Sequence, residues 1–96
     1  MQISFDWDQA KASSNVGKHD VTFEEAMSVF RDSLMLSVQD DSASEERWIT
    51  IGESSVGRLV LLVHTWTEHD EDRVVVRLIS ARRPTRNETR QYREGA

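Results

Sequence analysis

The chain has no cysteine among its 96 residues. Neither a disulfide framework nor a thiolate metal site can therefore hold the fold, and the absence fits a reducing compartment. Proline occurs once, at Pro84, and no repeat, linker or low-complexity segment interrupts the chain. The longest apolar run, "LVLLV" at 59–63, falls far short of the roughly 20 residues that a membrane helix needs. The opening "MQISFDWDQA" lacks the basic and apolar regions of a signal peptide. A soluble, cytoplasmic protein with no membrane partner is the expectation. Metal and nucleotide signatures are missing too. There is no His-x-x-x-His, no Asp-x-Asp-x-Asp-Gly loop, no Walker loop, no dinucleotide fingerprint and no Gly-x-Ser-x-Gly. No metal and no cofactor are expected.

What is present suffices for a fold. Hydrophobic residues make up 38% of the chain and include three tryptophans, which argues against disorder. The length suits one domain over 1–96. Formal net charge is −5, but it is unevenly spread. Residues 1–46 hold three basic side chains against ten acidic ones, a net of −7. Residues 73–96 hold seven arginines against Glu88 and Glu94, a net of +5. None of the nine basic residues after position 46 is lysine. The planar guanidinium can bond an oxyanion twice, so this bias hints at phosphate recognition.

Periodicity predicts an α+β domain in the order β-α-α-β-β-β-α. "ISFDW" (3–7) alternates and reads as a strand. Asp8 can cap a weak helix over 8–17, stopped by Gly17. Thr22 and Glu25 form a capping box before a helix over 21–30, whose apolar face is Phe23, Ala26, Met27 and Phe30. "LMLSV" (34–38) is a candidate strand. Residues 47–52, 58–66 and 73–81 follow as an antiparallel meander, with "TEHDED" as a turn. Strands that are apolar on both faces call for helices over one face of the sheet. A last helix begins at the capping box Thr85-x-x-Glu88 and ends at Gly95.

Arg77 is a charge inside an apolar strand, so it must reach solvent, pair with a carboxylate or line a cleft. Strict alternation places it with Val75, Ile79 and Ala81. Arg82 and Arg83 follow at the strand end. Arg86, Arg90 and Arg93 share one helical face; they either hold RNA or are a solvated face. His64 lies mid-strand, as a proton-transfer group or an ordinary strand histidine bonded to a neighbour. His19 and Lys18 end the first helix, where cations also suit the helix dipole. A small sheet, an arginine-rich end and candidate histidines suit metal-independent RNA cleavage. The RNA 2′-OH is a nucleophile already in place, which needs a base, phosphate-binding cations and an acid for the leaving 5′ oxygen.

Three ordered stretches resemble the BrnT family of bacterial type II toxins. They are "FDWDQAKASSNVGKHDVTFEEA", "EERWITIGESSVGRLVLLVHT" and "VRLISARRPTRNETRQY". The resemblance implies a RelE-like fold with a small antiparallel sheet, and a ribonuclease that inhibits translation and growth. It implies a BrnA-like antitoxin with a ribbon-helix-helix domain, a heterotetrameric complex, and contact with operator DNA only through that antitoxin. By position it implies catalytic candidates Lys18, His19, Arg47, His64, Arg77, Arg82, Arg83 and Tyr92, with Arg86, Arg90 and Arg93 for RNA binding. An inactive relative serving as an antitoxin-binding corepressor is the alternative. Asp20 departs from the pattern, which has glycine after Lys-His.

Overall fold

The computed structural model describes residues 1–42 and 44–95. Strand β1 (Gln2–Asp6) leads into helix α1 (Gln9–His19), then a short helix α2 (Phe23–Met27) that tightens into a 3₁₀ turn (Ser28–Arg31). Strands β2 (Leu36–Gln39), β3 (Trp48–Glu53), β4 (Leu59–His64), β5 (Thr67–Asp70) and β6 (Arg73–Arg82) follow, and helix α3 (Arg86–Glu94) closes the chain. The sheet order is β1-β6-β4-β3-β2, with β5 also pairing to β6.

The α+β class stands, but the sheet is mixed rather than antiparallel. β1 runs parallel to β6, with Phe5 beside Val76, while the other pairs are antiparallel. A parallel neighbour needs a long crossover, and everything from α1 to β5 supplies it. The sheet also has six strands: the candidate strand at 34–38 appears as β2, and β5 is additional. The "TEHDED" segment contains β5, whose four residues are all exposed. A strand with no apolar side chain leaves no alternation to read.

Local signals set most boundaries. Asp8 caps α1 by accepting the Lys11 N–H at 3.0 Å. The helix continues past Gly17 to His19 and ends at Asp20, which takes the left-handed conformation at φ 57°. That conformation is the one glycine favours after a helix, which gives a backbone reason for the glycine that the resemblance places at this position. Thr22 caps α2 through the Glu25 N–H, but only half of the expected box forms, because the Glu25 carboxylate turns to Arg58 and Ser54. At α3 both halves of the Thr85–Glu88 box are present.

α1, α2 and the 3₁₀ turn cover one face of the sheet. Val21, Phe23, Ala26 and Val29 pack there against Val60 and Leu62 of β4 and Val74, Val76 and Leu78 of β6. At Gly52 on β3, an added Cβ would stand 2.7 Å from Val29 Cγ1, so this close approach requires glycine. α3 lies over the opposite face. It buries no residue of its own and spans a cavity of about 190 Å³ lined by Leu36, Val38, Ile49, Ile51 and Leu61, with Glu88 and Gln91 above. Helices therefore sit on both faces.

Strict alternation fails once in β6. Leu78 pairs with His64 and Ser80 with Val63, leaving Ile79 as an extra residue. A bulge of this kind shifts every later side chain to the other face. Ala81 consequently enters the core instead of sharing a face with Arg77, and Arg82 pairs with Leu61 on the α3 side.

Candidate functional site

The C-terminal end of α1 is held against the sheet by one side chain. β1 pairs with β6 only as far as Arg77, so the rest of that edge lacks a strand. Asn15, buried, fills the gap. Its Oδ1 accepts the Ala81 N–H at 3.0 Å, and its Nδ2 donates to the Ala81 and Val21 carbonyls at 2.8 and 2.9 Å. This places Lys18 and His19 beside Ser80. Together with Lys11 and Ser14 they line an open pocket of about 160 Å³. Among the described residues, the side chains of Lys11, Lys18 and His19 make no hydrogen bond and no ion pair. A pocket with two ammonium groups, an imidazole and hydroxyls can hold an oxyanion.

A second set of cations adjoins this one, and part of it escaped the sequence reading. Arg58 donates from Nη2 to the Asp20 carbonyl at 2.8 Å, next to His19. Its guanidinium also clamps Glu25 at 2.8 and 2.7 Å. That contact holds the Glu25 carboxyl below the usual carboxylate range, and the Arg83 charge works in the same direction. Arg83 itself is exposed and donates from Nε to the Leu59 carbonyl at 3.0 Å. The signal for Arg58 was weak, since one arginine at a strand start is common. Its partner Glu25 had already been assigned to a capping box.

His64 lies elsewhere. Leu59, which anchors Arg83, starts β4, and His64 ends it five strand steps away, about 16 Å. The imidazole is 2% exposed. Its Nδ1 contacts the Thr65 carbonyl at 2.8 Å and its Nε2 the Thr50 hydroxyl at 2.7 Å. A carbonyl only accepts, so Nδ1 carries the proton and Nε2 accepts from Thr50. Burial pushes the His64 pKa down, so the neutral ring is favoured. Thr50 in turn meets the Ser37 hydroxyl at 2.7 Å. Between the open readings of His64, the geometry is that of a strand histidine bonded to neighbours. Thr50 was not legible, because the alternation of β3 sets it on the face opposite Ile49 and Ile51, where a polar residue reads as solvent-facing.

The remaining candidates are dispersed and mostly paired. Arg77 reaches solvent and pairs with Asp6 at 2.6 Å. Arg82 forms two parallel bonds to Glu88, both 2.9 Å, tying β6 to the start of α3. That pairing brings the Glu88 pKa down to about 2. Tyr92 donates to Asp32 Oδ2 at 2.5 Å, which ties α3 to the segment after the 3₁₀ turn. The same bond raises the Tyr92 pKa to about 12, so the phenol keeps its proton at neutral pH. Arg86, Arg90 and Arg93 are exposed on α3, with Arg90 bonded to Asn87. Arg47 contacts Glu45 at 3.2 Å, while its Nε is buried without an acceptor.

Fold and site define a small α+β protein in which Lys11, Lys18 and His19 of the first helix line an open pocket beside Ser80. The family model described as "Ribonuclease toxin, BrnT, of type II toxin-antitoxin system" matches residues 7–88, and the chain belongs to that family. Among solved structures, the chain is similar to the crystal structure of the Brucella abortus ribonuclease toxin BrnT, with a TM-score of 0.60 at 16% identity, over 90% of this chain and 100% of that one. At that identity the likeness speaks for the fold. No curated protein matches the chain. Among the described residues, no helix is long and apolar enough to cross a membrane.

Proposed function

We propose that this chain is a metal-independent endoribonuclease toxin that inhibits translation and growth. It is neutralised by a BrnA-like ribbon-helix-helix antitoxin in a heterotetramer that reaches operator DNA through the antitoxin. The observation that carries the reading is the pocket where Lys18, His19 and Ser80 meet with Lys11, the two ammonium groups and the imidazole being without side-chain partners among the described residues. In this reading the scissile phosphate sits on Lys18 and Lys11, with Arg83 and Arg58 next to them. His19 takes the 2′-OH proton as that oxygen attacks phosphorus. The 5′ oxygen leaves as an alcohol once an acid returns a proton, and a 2′,3′-cyclic phosphate remains. His64 is buried and doubly bonded, so it supports the fold of the site and does not exchange the proton.

The test is cleavage of a defined RNA by purified protein in excess EDTA. The expected outcome is cleavage that survives the chelator and falls about 100-fold or more in His19→Ala. Intact RNA would reject the reading, and so would full activity in a folded His19→Ala protein. One observation favours a second reading, a corepressor with little activity: Arg77, Arg82 and Tyr92 are each committed to an internal carboxylate. Tight binding to the product of the neighbouring gene, with RNA left intact, distinguishes it.

A further inference from the structure

A second cavity, of about 240 Å³, lies on the helix side of the sheet, remote from Lys18 and His19. Phe30, Met35, Ser37, Trp48, His64 and Trp66 line it. His64 is fully buried, whereas the other five are partly or largely exposed, so the cavity opens to solvent. Its volume is below the roughly 300–1,000 Å³ of drug-sized sites, and it suits one planar ring system. The walls are aromatic: Phe30 stands edge-on to the His64 ring at 5.0 Å and tilted to Trp66 at 6.4 Å.

Two features set it apart from a packing defect. First, Trp48 Nε1 is buried and has no acceptor among the described residues. Buried donors are nearly always satisfied, and an orphan calls for an absent partner. The neighbouring Arg47 Nε is orphaned in the same way. Second, the polar side of the cavity has a fixed polarity. With His64 Nδ1 donating to the Thr65 carbonyl, Nε2 must accept from Thr50 and Thr50 from Ser37. The Ser37 hydroxyl proton is thereby used, and its oxygen faces a ligand as an acceptor. The cavity thus offers flat aromatic faces and one acceptor at Ser37, while the Trp48 donor, sealed from solvent, meets a ligand only through a turn of the indole toward the cavity.

We propose that this cavity is a nucleobase slot, which holds one unstacked base of the RNA substrate and gives the enzyme its base preference. The inference rests on the ribonuclease reading above. Single-stranded RNA is read by stacking splayed bases on aromatic side chains and bonding their Watson–Crick edges. Each base carries a donor next to an acceptor on that edge in an order that differs between bases, so fixed positions of the Trp48 donor and the Ser37 acceptor suit some bases better than others. Arg47, next in the chain to Trp48, supplies a cation for the adjoining phosphate.

The test uses the full-length protein and the four nucleoside 5′-monophosphates, with ribose 5-phosphate as the base-free probe. Binding is followed by quenching of tryptophan fluorescence and by the indole N–H resonance of Trp48. At least one nucleotide is expected to bind saturably, shifting that resonance, while ribose 5-phosphate leaves it unmoved. Trp48→Phe keeps a ring but removes the N–H, and should weaken binding about fivefold, as should Ser37→Ala. Trp48→Phe should leave the melting temperature unchanged or higher, because no internal hydrogen bond is lost. In cleavage mapping, both variants should relax the base preference at one position. Absence of saturable binding by all four nucleotides overturns the slot, as does an equal response to ribose 5-phosphate. RNA cleavage with neither nucleotide binding nor base preference overturns the slot and leaves the ribonuclease reading intact. Nucleotide binding at Trp48 without RNA cleavage does the reverse.

Discussion

Asn15 does for β6 what a neighbouring strand would do: its amide accepts from the Ala81 N–H at 3.0 Å and donates to the Ala81 carbonyl at 2.8 Å. It also bonds the Val21 carbonyl, so one side chain joins α1, the start of α2 and the end of the sheet. Asn15→Ala leaves these buried groups unpaired. Unfolding by urea should show a loss of about 3 kcal/mol. Asn15→Asp, which keeps an acceptor for Ala81 N–H but loses both donated bonds, should not restore it. A midpoint within experimental error of the parent protein would show that water replaces the amide at no cost.

Arg82 and Glu88 give a pH-dependent attachment of α3. The pairing depresses the Glu88 pKa from 4.5 to about 2. A depressed carboxylate contributes stability that is complete above its unfolded value and lost as pH falls through its folded one. The difference in stability between the parent protein and Glu88→Gln should therefore be constant above about pH 5 and shrink between pH 4.5 and pH 2. Denaturant titrations across that range measure it. A gap that stays constant to pH 2 would deny the ion pair this role.

His64 titrates against its burial, which lowers its pKa from 6.5. The unfolded chain binds this proton first as pH falls, so the contribution is intact above about pH 6.5 and lost below it. NMR should place the His64 midpoint below the ordinary histidine value of 6.5. Parent stability should decline from pH 6.5 downward more steeply than that of His64→Gln. Equal slopes would mean that the ring gains a proton inside the fold without penalty.

Gly52 marks the tightest approach between the helical layer and the sheet. Gly52→Ala would force a methyl to within 2.7 Å of Val29 Cγ1. The expected cost is about 1–3 kcal/mol by thermal or urea unfolding. Part of it should return when Val29→Ala makes room in the double variant. A double variant no more stable than the sum of the singles would assign the cost to backbone effects.

The sequence by itself determined the class, the order of most elements, the caps at Asp8, Thr22 and Thr85, and the family. These depend on local chemistry: alternation, helical spacing, a hydroxyl three residues before a carboxylate, and ordered motifs. Only the tertiary structure decided which charges are free. Arg77, Arg82 and Tyr92 read as a site in sequence, but their partners Asp6, Glu88 and Asp32 lie 71, 6 and 60 positions away. Nothing local marks the distant pairs. The same holds for Asn15 and Ala81, 66 positions apart, and for the Ile79 bulge, which needs the facing strand to exist. Ion pairing and edge completion are relations between elements, so they appear only when the sheet has brought those elements together.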